Sequence, residues 1–474
     1  MFQTRASRIR SILALLLTYA GALPLPNGRA LTAQPQTATP ASQPIPLPAS
    51  AASHPLVAFA GVNVMSMTSD RIDSNQTVVV RDGRIAEIGP ANRIKVPPGA
   101  LRIDGRGKYL MPGLIDMHVH QFADFRETLL FIANGVTTVR NMGGQPDLLK
   151  LRETIERDQS VAPNFYTCGP FLLGFKDAAA AQSTVTRQCD AGYDCIKIYD
   201  TFDWTLDAYN AVVDLANKRG VPVVGHLPLN LSLEQTVRPG RQTVEHTESF
   251  LNDYFFKPSV GLDASRIPYV VKLVKDSGAA VDPTLFVFHA IALMAGDATF
   301  KGLCDDPNMR FIDPKTRDQW VAHNSYRKRF GEKSIPGTMR NFAFMQRLTL
   351  AFHDGGITLL LGTDTSEDQP FILPGFAIHR ELADMVSAGL SPYQVLRAGT
   401  ADAARILGGA DRFGTISVGM RADLLLLDAN PLDDVANINK RTGVMLRGHW
   451  LAQKELQVMM DQLAAEYSNE QNKH

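Results

Sequence analysis

Between residues 111 and 400 the chain alternates short apolar runs with helical stretches; eight candidate strands begin near Leu114, Val136, Phe165, Cys195, Val221, Thr243, Ala280 and Ile357. A strand that feeds a helix and returns parallel builds a βαβ unit, and eight such units predict an α/β fold of the (β/α)8 TIM-barrel kind rather than an open sheet. One linking helix is explicit in "TLDAYNAVVDLANKRG". Thr205 is its candidate N-cap, apolar residues recur on one face, Lys218 and Arg219 sit late, and Gly220 is its candidate C-cap. The stretch from 288 to 355 is too long for a simple crossover, and its charged, aromatic text "RFIDPKTRDQWVAHNSYRKRFGEK" predicts helical insertions that lid the barrel mouth.

The flanks read differently. Residues 55–110 predict a small β-domain, with "NQTVVVRDGRIAEIG" folding back at Asp82-Gly83, a strong hairpin-turn signal. After the barrel segment, 111–412, the text "FGTISVGMRADLLLLDANPL" returns to strand character. Residues 413–450 are therefore expected to complete a discontinuous β-sandwich domain, and 451–474 to form a terminal helix and tail. The first 22 residues read as a signal peptide: Arg5, Arg8 and Arg10 precede the apolar "SILALLLTYAGAL", and Ala20-Gly21-Ala22 offers a small-residue cleavage site. Residues 23–54, rich in Pro, Ala, Gln, Ser and Thr, predict a disordered tether. An exported protein, periplasmic or extracellular, follows, with no stable membrane span after cleavage.

Lys+Arg and Asp+Glu number 48 each, so no net field recruits nucleic acid, and the expected partner is a small-molecule substrate. Nothing in the composition opposes a homo-oligomer. The four cysteines, Cys168, Cys189, Cys195 and Cys304, contain no C-x-x-C motif. They read as free, buried thiols, with Cys189 and Cys195 the closest pair in sequence.

Chemistry gathers at the strand ends. "YLMPGLIDMHVH" ends in His118-Val119-His120; side chains alternate along a strand, so both imidazoles leave one face while Val119 points behind. "YDCIKIYD" puts Lys197 and Tyr199 on one face. "VPVVGH" ends at His226, "QTVEH" at His246 and "ITLLLGTD" at Asp364. Taken singly, such a histidine is a hydrogen-bonded core residue, Asp364 a helix cap and Lys197 half of a buried ion pair. Six ligand-type residues at the ends of strands one, four, five, six and eight instead predict a metal site at the C-terminal mouth of the barrel.

With these residues in place, the chain resembles the metal-dependent amidohydrolase superfamily, in particular its imidazolonepropionase-like and Xaa-Pro dipeptidase-like group. The matching text is "MPGLIDMHVH", "GVTTVRNMGG", "DCIKIYD", "VVGH", "EHTE", "LLLGTD", "AGTADAARILG" and "GTISVGMRADLLLLD", spread from about residue 56 to 440. The resemblance implies two divalent metal ions, with zinc the default for imidazole and carboxylate ligands. His118, His120 and Asp364 would hold the first ion and His226 and His246 the second, with a carboxylated Lys197 bridging both. It further implies that a metal-bridging hydroxide attacks a C–N amide bond of a dipeptide, N-acyl amino acid or cyclic amide, and that Asp364 passes the proton to the leaving amine. Arg140, Tyr199, His289 and His379 are candidate substrate contacts. Two alternatives share the barrel: an esterase or lactonase on the same centre, and a mononuclear deaminase. The deaminases typically carry a Glu three residues after the fifth-strand histidine, where this chain has Leu229. The third strand reads "CGPFLLG", without the Gly-His text of many peptidase-like relatives.

Overall fold

β1 (Leu56–Met65) is the spine of the first sheet. β2 (Ile72–Arg81) pairs with it antiparallel, while β4 (Leu101–Asp104) and β5 (Tyr109–Pro112) pair with it parallel. β3 (Arg84–Pro90) returns from β2 through Asp82 and Gly83, both at positive φ (49° and 75°), the geometry of a type I′ turn that matches strand twist. The computed structural model describes residues 42–52, 55–120, 124–158, 160–199, 201–257 and 261–471; the expected signal peptide and the first part of the expected tether lie outside these residues.

The middle of the chain is a TIM-barrel-like α/β structure. β6 (Leu114–Val119), β7 (Val136–Asn141) and β8 (Asn164–Thr167) form a parallel sheet. β9 (Ile196–Ile198) pairs parallel with β10 (Val223–Gly225). β11 (Thr243–Glu245) pairs parallel with β14 (Ala280–Asp282), beyond a small hairpin of β12 (Phe256–Lys257) and β13 (Gly261–Leu262). The eighth expected strand is a less regular segment. Val281 N donates to Thr358 O and Leu360 N to Val281 O, both at 2.9 Å, while Met117 N donates to Leu361 O at 2.8 Å. It therefore runs between β14 and β6, and Asp364, although at φ 60°, still donates its N–H to His118 O at 2.7 Å. The helix predicted after strand four spans Leu206–Lys218. Thr205 caps it by accepting from Ala208 N, and Ala208, Tyr209, Val212, Val213 and Ala216 form its buried face. The long insertion is helical, including Leu285–Ala295, Pro314–Ala322 and Ile335–Asp354.

β15 (Leu424–Leu427) pairs antiparallel with β5, and β16 (Arg441–Leu446) and β17 (His449–Ala452) follow, so the strands after the barrel join those before it in one eight-stranded sheet. The run "LLLL" explains itself by period two. Leu424 and Leu426 face a core with Val57, Phe59 and Val78, whereas Leu425 and Leu427 face the main core shared with the barrel. Both faces are buried, so the strand is apolar throughout. The terminal helix Gln453–Gln471 buries Leu456, Met460, Leu463 and Tyr467.

Two expectations are corrected. The tether reading fails for residues 42–52, which are packed on the body: Val161 N donates to Ile45 O at 2.7 Å, Ile45 and Leu47 are partly buried against the main core, and Ala51 is buried. A Pro- and Ser-rich composition conceals these few apolar anchors. The cysteines are not all free. Cys168 and Cys195 form a disulfide with their Cα atoms 4.2 Å apart; Cys189 and Cys304 are free. Cys168 follows β8 and Cys195 precedes β9, so a parallel crossover sets side by side two residues 27 apart in sequence. Cys189, nearer in sequence, lies on the helix Ala178–Asp190. A loop of that length is worth about 3 to 4 kcal/mol in the chain-entropy description. Replacing both Cys168 and Cys195 with Ser is expected to lower unfolding stability by about that amount. An unchanged denaturation midpoint would remove the disulfide from the account.

Glu127 supplies a pH-dependent term away from the barrel mouth. It is buried and accepts from Asp313 N at 2.8 Å. Burial, with lesser repulsion from Asp124 and Asp313, pushes its carboxyl up to about 8. A carboxyl raised on folding stabilises the fold fully at pH below its unfolded value, and that contribution is lost as pH rises through about 8. The Glu127→Gln variant, which keeps an acceptor for Asp313, should therefore lose less thermal stability than the parent between neutral pH and pH about 9. Parallel melting curves of the two proteins would contradict this.

Candidate metal centre

β6 carries His118 inward and ends just before His120, and the strand period turns both rings to one side while Val119 packs into the core. His118 Nε2 and His120 Nε2 lie 3.1 Å apart. Asp364 Oδ1 lies 3.2 Å from the first and 3.0 Å from the second. From β11 the His246 ring reaches within 4.7 Å of His118, and from β10 the His226 ring lies 4.7 Å from His246. Lys197, central in β9 and fully buried, passes beside the backbone of Gly225. A Cβ at Gly225 would lie 2.7 Å from Lys197 Cδ and 2.2 Å from Ile198 O, so only glycine lets the two strands approach this closely.

The electrostatics favour ligand forms. Burial, and then the Lys197 charge, hold His118 and His226 well below the usual imidazole range, while burial brings His246 to about 4. Burial would push the Asp364 carboxyl up, but His118, His120 and His246 around it overcome that and hold it well below the usual carboxylate range. Neutral imidazoles converging on a carboxylate are a donor set for a divalent cation, and ligand atoms of His118, His246 and Asp364 all lie within 4.8 Å of one another.

Several supporting residues are not legible from strand ends. His118 Nδ1 faces Glu245 Oε2 at 3.3 Å, the carboxylate–imidazole arrangement that leaves Nε2 for a metal. His246 Nδ1 meets Thr284 Oγ1 at 2.6 Å. That hydroxyl makes no cap for its own helix, Leu285–Ala295; Glu381 caps it from a distance by accepting from Leu285 N at 2.9 Å and Phe286 N at 2.6 Å. Asp116, on the same strand face as His118, accepts from Thr363 N and Oγ1 and so ties the first strand to the Asp364 turn. Gln369 Nε2 donates to Asp364 Oδ2 at 3.2 Å, and Tyr326 OH from the helical insertion donates to Gln369 Oε1 at 2.8 Å.

The candidate substrate contacts are dispersed. Tyr199 stands over the site, its ring 5.0 Å from His226. Arg140 is 1% exposed and donates to Glu245 at 2.9 Å and to Met117 O at 2.8 Å, which places it beneath the histidines. His289, with its side chain 30% exposed, pairs with Asp384 at 3.1 Å. His379 lies on the helix Ala377–Ser387 and is half-buried beside Asn134 and Arg441, outside the cluster. The strand-end pattern marked these positions, but the direction of each side chain decided its surroundings.

The amidohydrolase family model matches residues 109–451. An imidazolonepropionase of Stenotrophomonas maltophilia (strain R551-3) is 24% identical over 392 residues, covering 75% of this chain and 87% of that protein. Among solved structures, a bottromycin amidohydrolase superposes with a TM-score of 0.71 at 23% identity over 88% of this chain and 92% of its own. A putative prolidase from Bifidobacterium longum gives 0.65 at 24% identity, over 86% of this chain and 98% of its own.

Proposed function

Because this chain belongs to the amidohydrolase family and is a hydrolase acting on carbon–nitrogen bonds, we propose that it cleaves an amide bond of a small molecule at a two-metal centre in the mouth of a closed (β/α)8 barrel. The observation that carries this reading is the convergence of His118, His120, His226, His246 and Asp364 around the buried Lys197. His118, His120 and Asp364 would hold one ion, His226 and His246 the other, and carboxylated Lys197 both. Zinc suits these donors. When bound, the ions would supply an activated water and polarise the scissile carbonyl.

The chain's own residues account for the remaining steps. Glu245 Oε2 stands 3.3 Å from His118 Nδ1 and Thr284 Oγ1 2.6 Å from His246 Nδ1, so each ring is contacted on its Nδ1 side and would turn Nε2 to the centre. Asp364 takes the proton of the attacking water on a carboxylate oxygen and returns it to the leaving nitrogen, while Gln369 fixes the carboxylate plane. Tyr199, its ring 5.0 Å from His226, and His289 are the proposed substrate contacts. Export fits the Cys168–Cys195 disulfide, which persists in an oxidising compartment. A matched panel of amide, ester, lactone and cyclic-amide substrates, together with aminopurine and aminopyrimidine deamination, tests the assignment. Turnover of amides supports it. Turnover confined to esters and lactones, or to deamination, would replace it.

A further inference from the structure

Three apolar side chains are exposed on two neighbouring loops, Phe171 (38% exposed) and Leu173 (48%) after β8 and Phe202 (53%) after β9, and Thr201 Oγ1, next to Phe202, donates to Leu173 O. The loops are not loose flaps. Leu172 N donates to Lys197 O at 2.9 Å, Tyr199 N to Leu172 O at 3.1 Å and Leu229 N to Thr201 O at 3.0 Å. The Cys168–Cys195 disulfide ties their roots. Phe171 also lies close on the Gly143 backbone, where a Cβ would come within 2.6 Å of its ring.

Phe171 is continuous with the candidate ligands through ring contacts. The Phe171 ring lies 5.7 Å from His120 and 5.2 Å from Tyr199, and Tyr199 lies 5.0 Å from His226. An apolar shelf thus runs from one proposed metal-binding histidine to another, open to solvent at Phe171. Nearby cations are committed elsewhere: Arg140 to Glu245, Arg241 to the carbonyls of Gly225 and His226, and Lys176 to Asp203. Exposed apolar side chains grouped beside a candidate reactive centre offer a binding surface for an apolar group.

Resting on the metal-dependent amidohydrolase reading, we propose that Phe171, Leu173, Tyr199 and Phe202 form the specificity wall, and that the substrate carries an aromatic or branched aliphatic group next to its scissile carbonyl. Recognition is by shape and burial on this shelf, with Arg140 holding the frame beneath it.

The test is calorimetric binding of acetohydroxamate and 3-phenylpropanohydroxamate to the metal-loaded protein, because both present the same metal-binding head and differ only in the apolar group. The phenylpropano compound is expected to bind about ten-fold tighter or more. In the Phe171→Ala/Phe202→Ala variant, its advantage should fall to about three-fold or less. Equal affinities in the parent protein, or an advantage that survives in the variant, would overturn the wall while leaving the metal centre standing. Binding of neither compound would overturn the metal-dependent reading and the wall with it.

Discussion

The Asp364→Asn variant is expected to lose at least about 10³-fold in kcat while its melting temperature stays close to that of the parent. Asparagine has the shape of aspartate, so the turn at φ 60° and its packing should survive. The chemistry should not. Gln369 Nε2 donates to Oδ2, which directs an asparagine to offer its carbonyl oxygen there and to aim its amide NH2 at His118 and His120. A donor would then face the site where a carboxylate ligand and proton acceptor are required. The His118 and His120 nitrogens would lose the anion at 3.2 and 3.0 Å that complements them and any cation they hold. The companion change Gln369→Leu removes only the support and should cost about ten-fold, with kcat falling more than KM rises. Retention of more than about a tenth of the parent kcat in Asp364→Asn would sink its role as ligand and proton carrier.

The residues that cluster here could be read from the sequence because strands obey period two and barrel sites sit at strand ends. His118 and His120 illustrate the rule: one residue apart from their shared neighbour Val119, on one face, at the end of an apolar run. Glu245 breaks it. Next to His246, it should face the opposite way, yet Glu245 reaches His118 at 3.3 Å while His246 stacks at 4.7 Å from the same ring. The reason is backbone conformation. His246 has φ 65°, a left-handed residue that rotates its side chain out of the strand alternation, so consecutive residues both point inward. Thr284 at φ 46° and Asp364 at φ 60° do the same at the ends of the next two strands. No sequence pattern announces a left-handed His, Thr or Asp, so the supporting groups stayed hidden while the candidate ligands were plain.

Arg140 shows the complementary failure. It sits near the end of a strand in polar company, where the same rule suggests a mouth residue. β7 carries its side chain across the interior instead, to Glu245, Thr243 and the Met117 carbonyl. A buried guanidinium needs a buried carboxylate, and Glu245 comes from a strand 105 residues away. Long-range pairing of this kind, like the disulfide between Cys168 and Cys195, depends on which strands are neighbours around the barrel, and spacing along the chain does not encode it directly.

Replacing Lys197 with Met should lower bound metal from about two ions per chain to about one or fewer and remove nearly all turnover, as measured by elemental analysis alongside activity. Methionine is the informative choice. Lys197 is fully buried, and its Cδ packs near the Gly225 backbone, so Lys197→Ala would open a cavity and confuse lost chemistry with lost packing. Methionine fills much of that space with a flexible apolar chain and lacks the amine that can take up carbon dioxide. Electrostatics favours a modified amine over an ammonium here. As an ammonium, Lys197 works against charge on His118, His226 and His246, and two divalent cations in the same cluster would be repelled by it. As a carbamate it is an anion among cations, with oxygens for both. Metal loading in carbon-dioxide-free buffer should therefore be incomplete in the parent and restored by bicarbonate, whereas Lys197→Met should be indifferent to bicarbonate. Two ions retained by the Met variant, or loading of the parent that ignores bicarbonate, would defeat the bridged centre and leave a site built from the histidines and Asp364 alone.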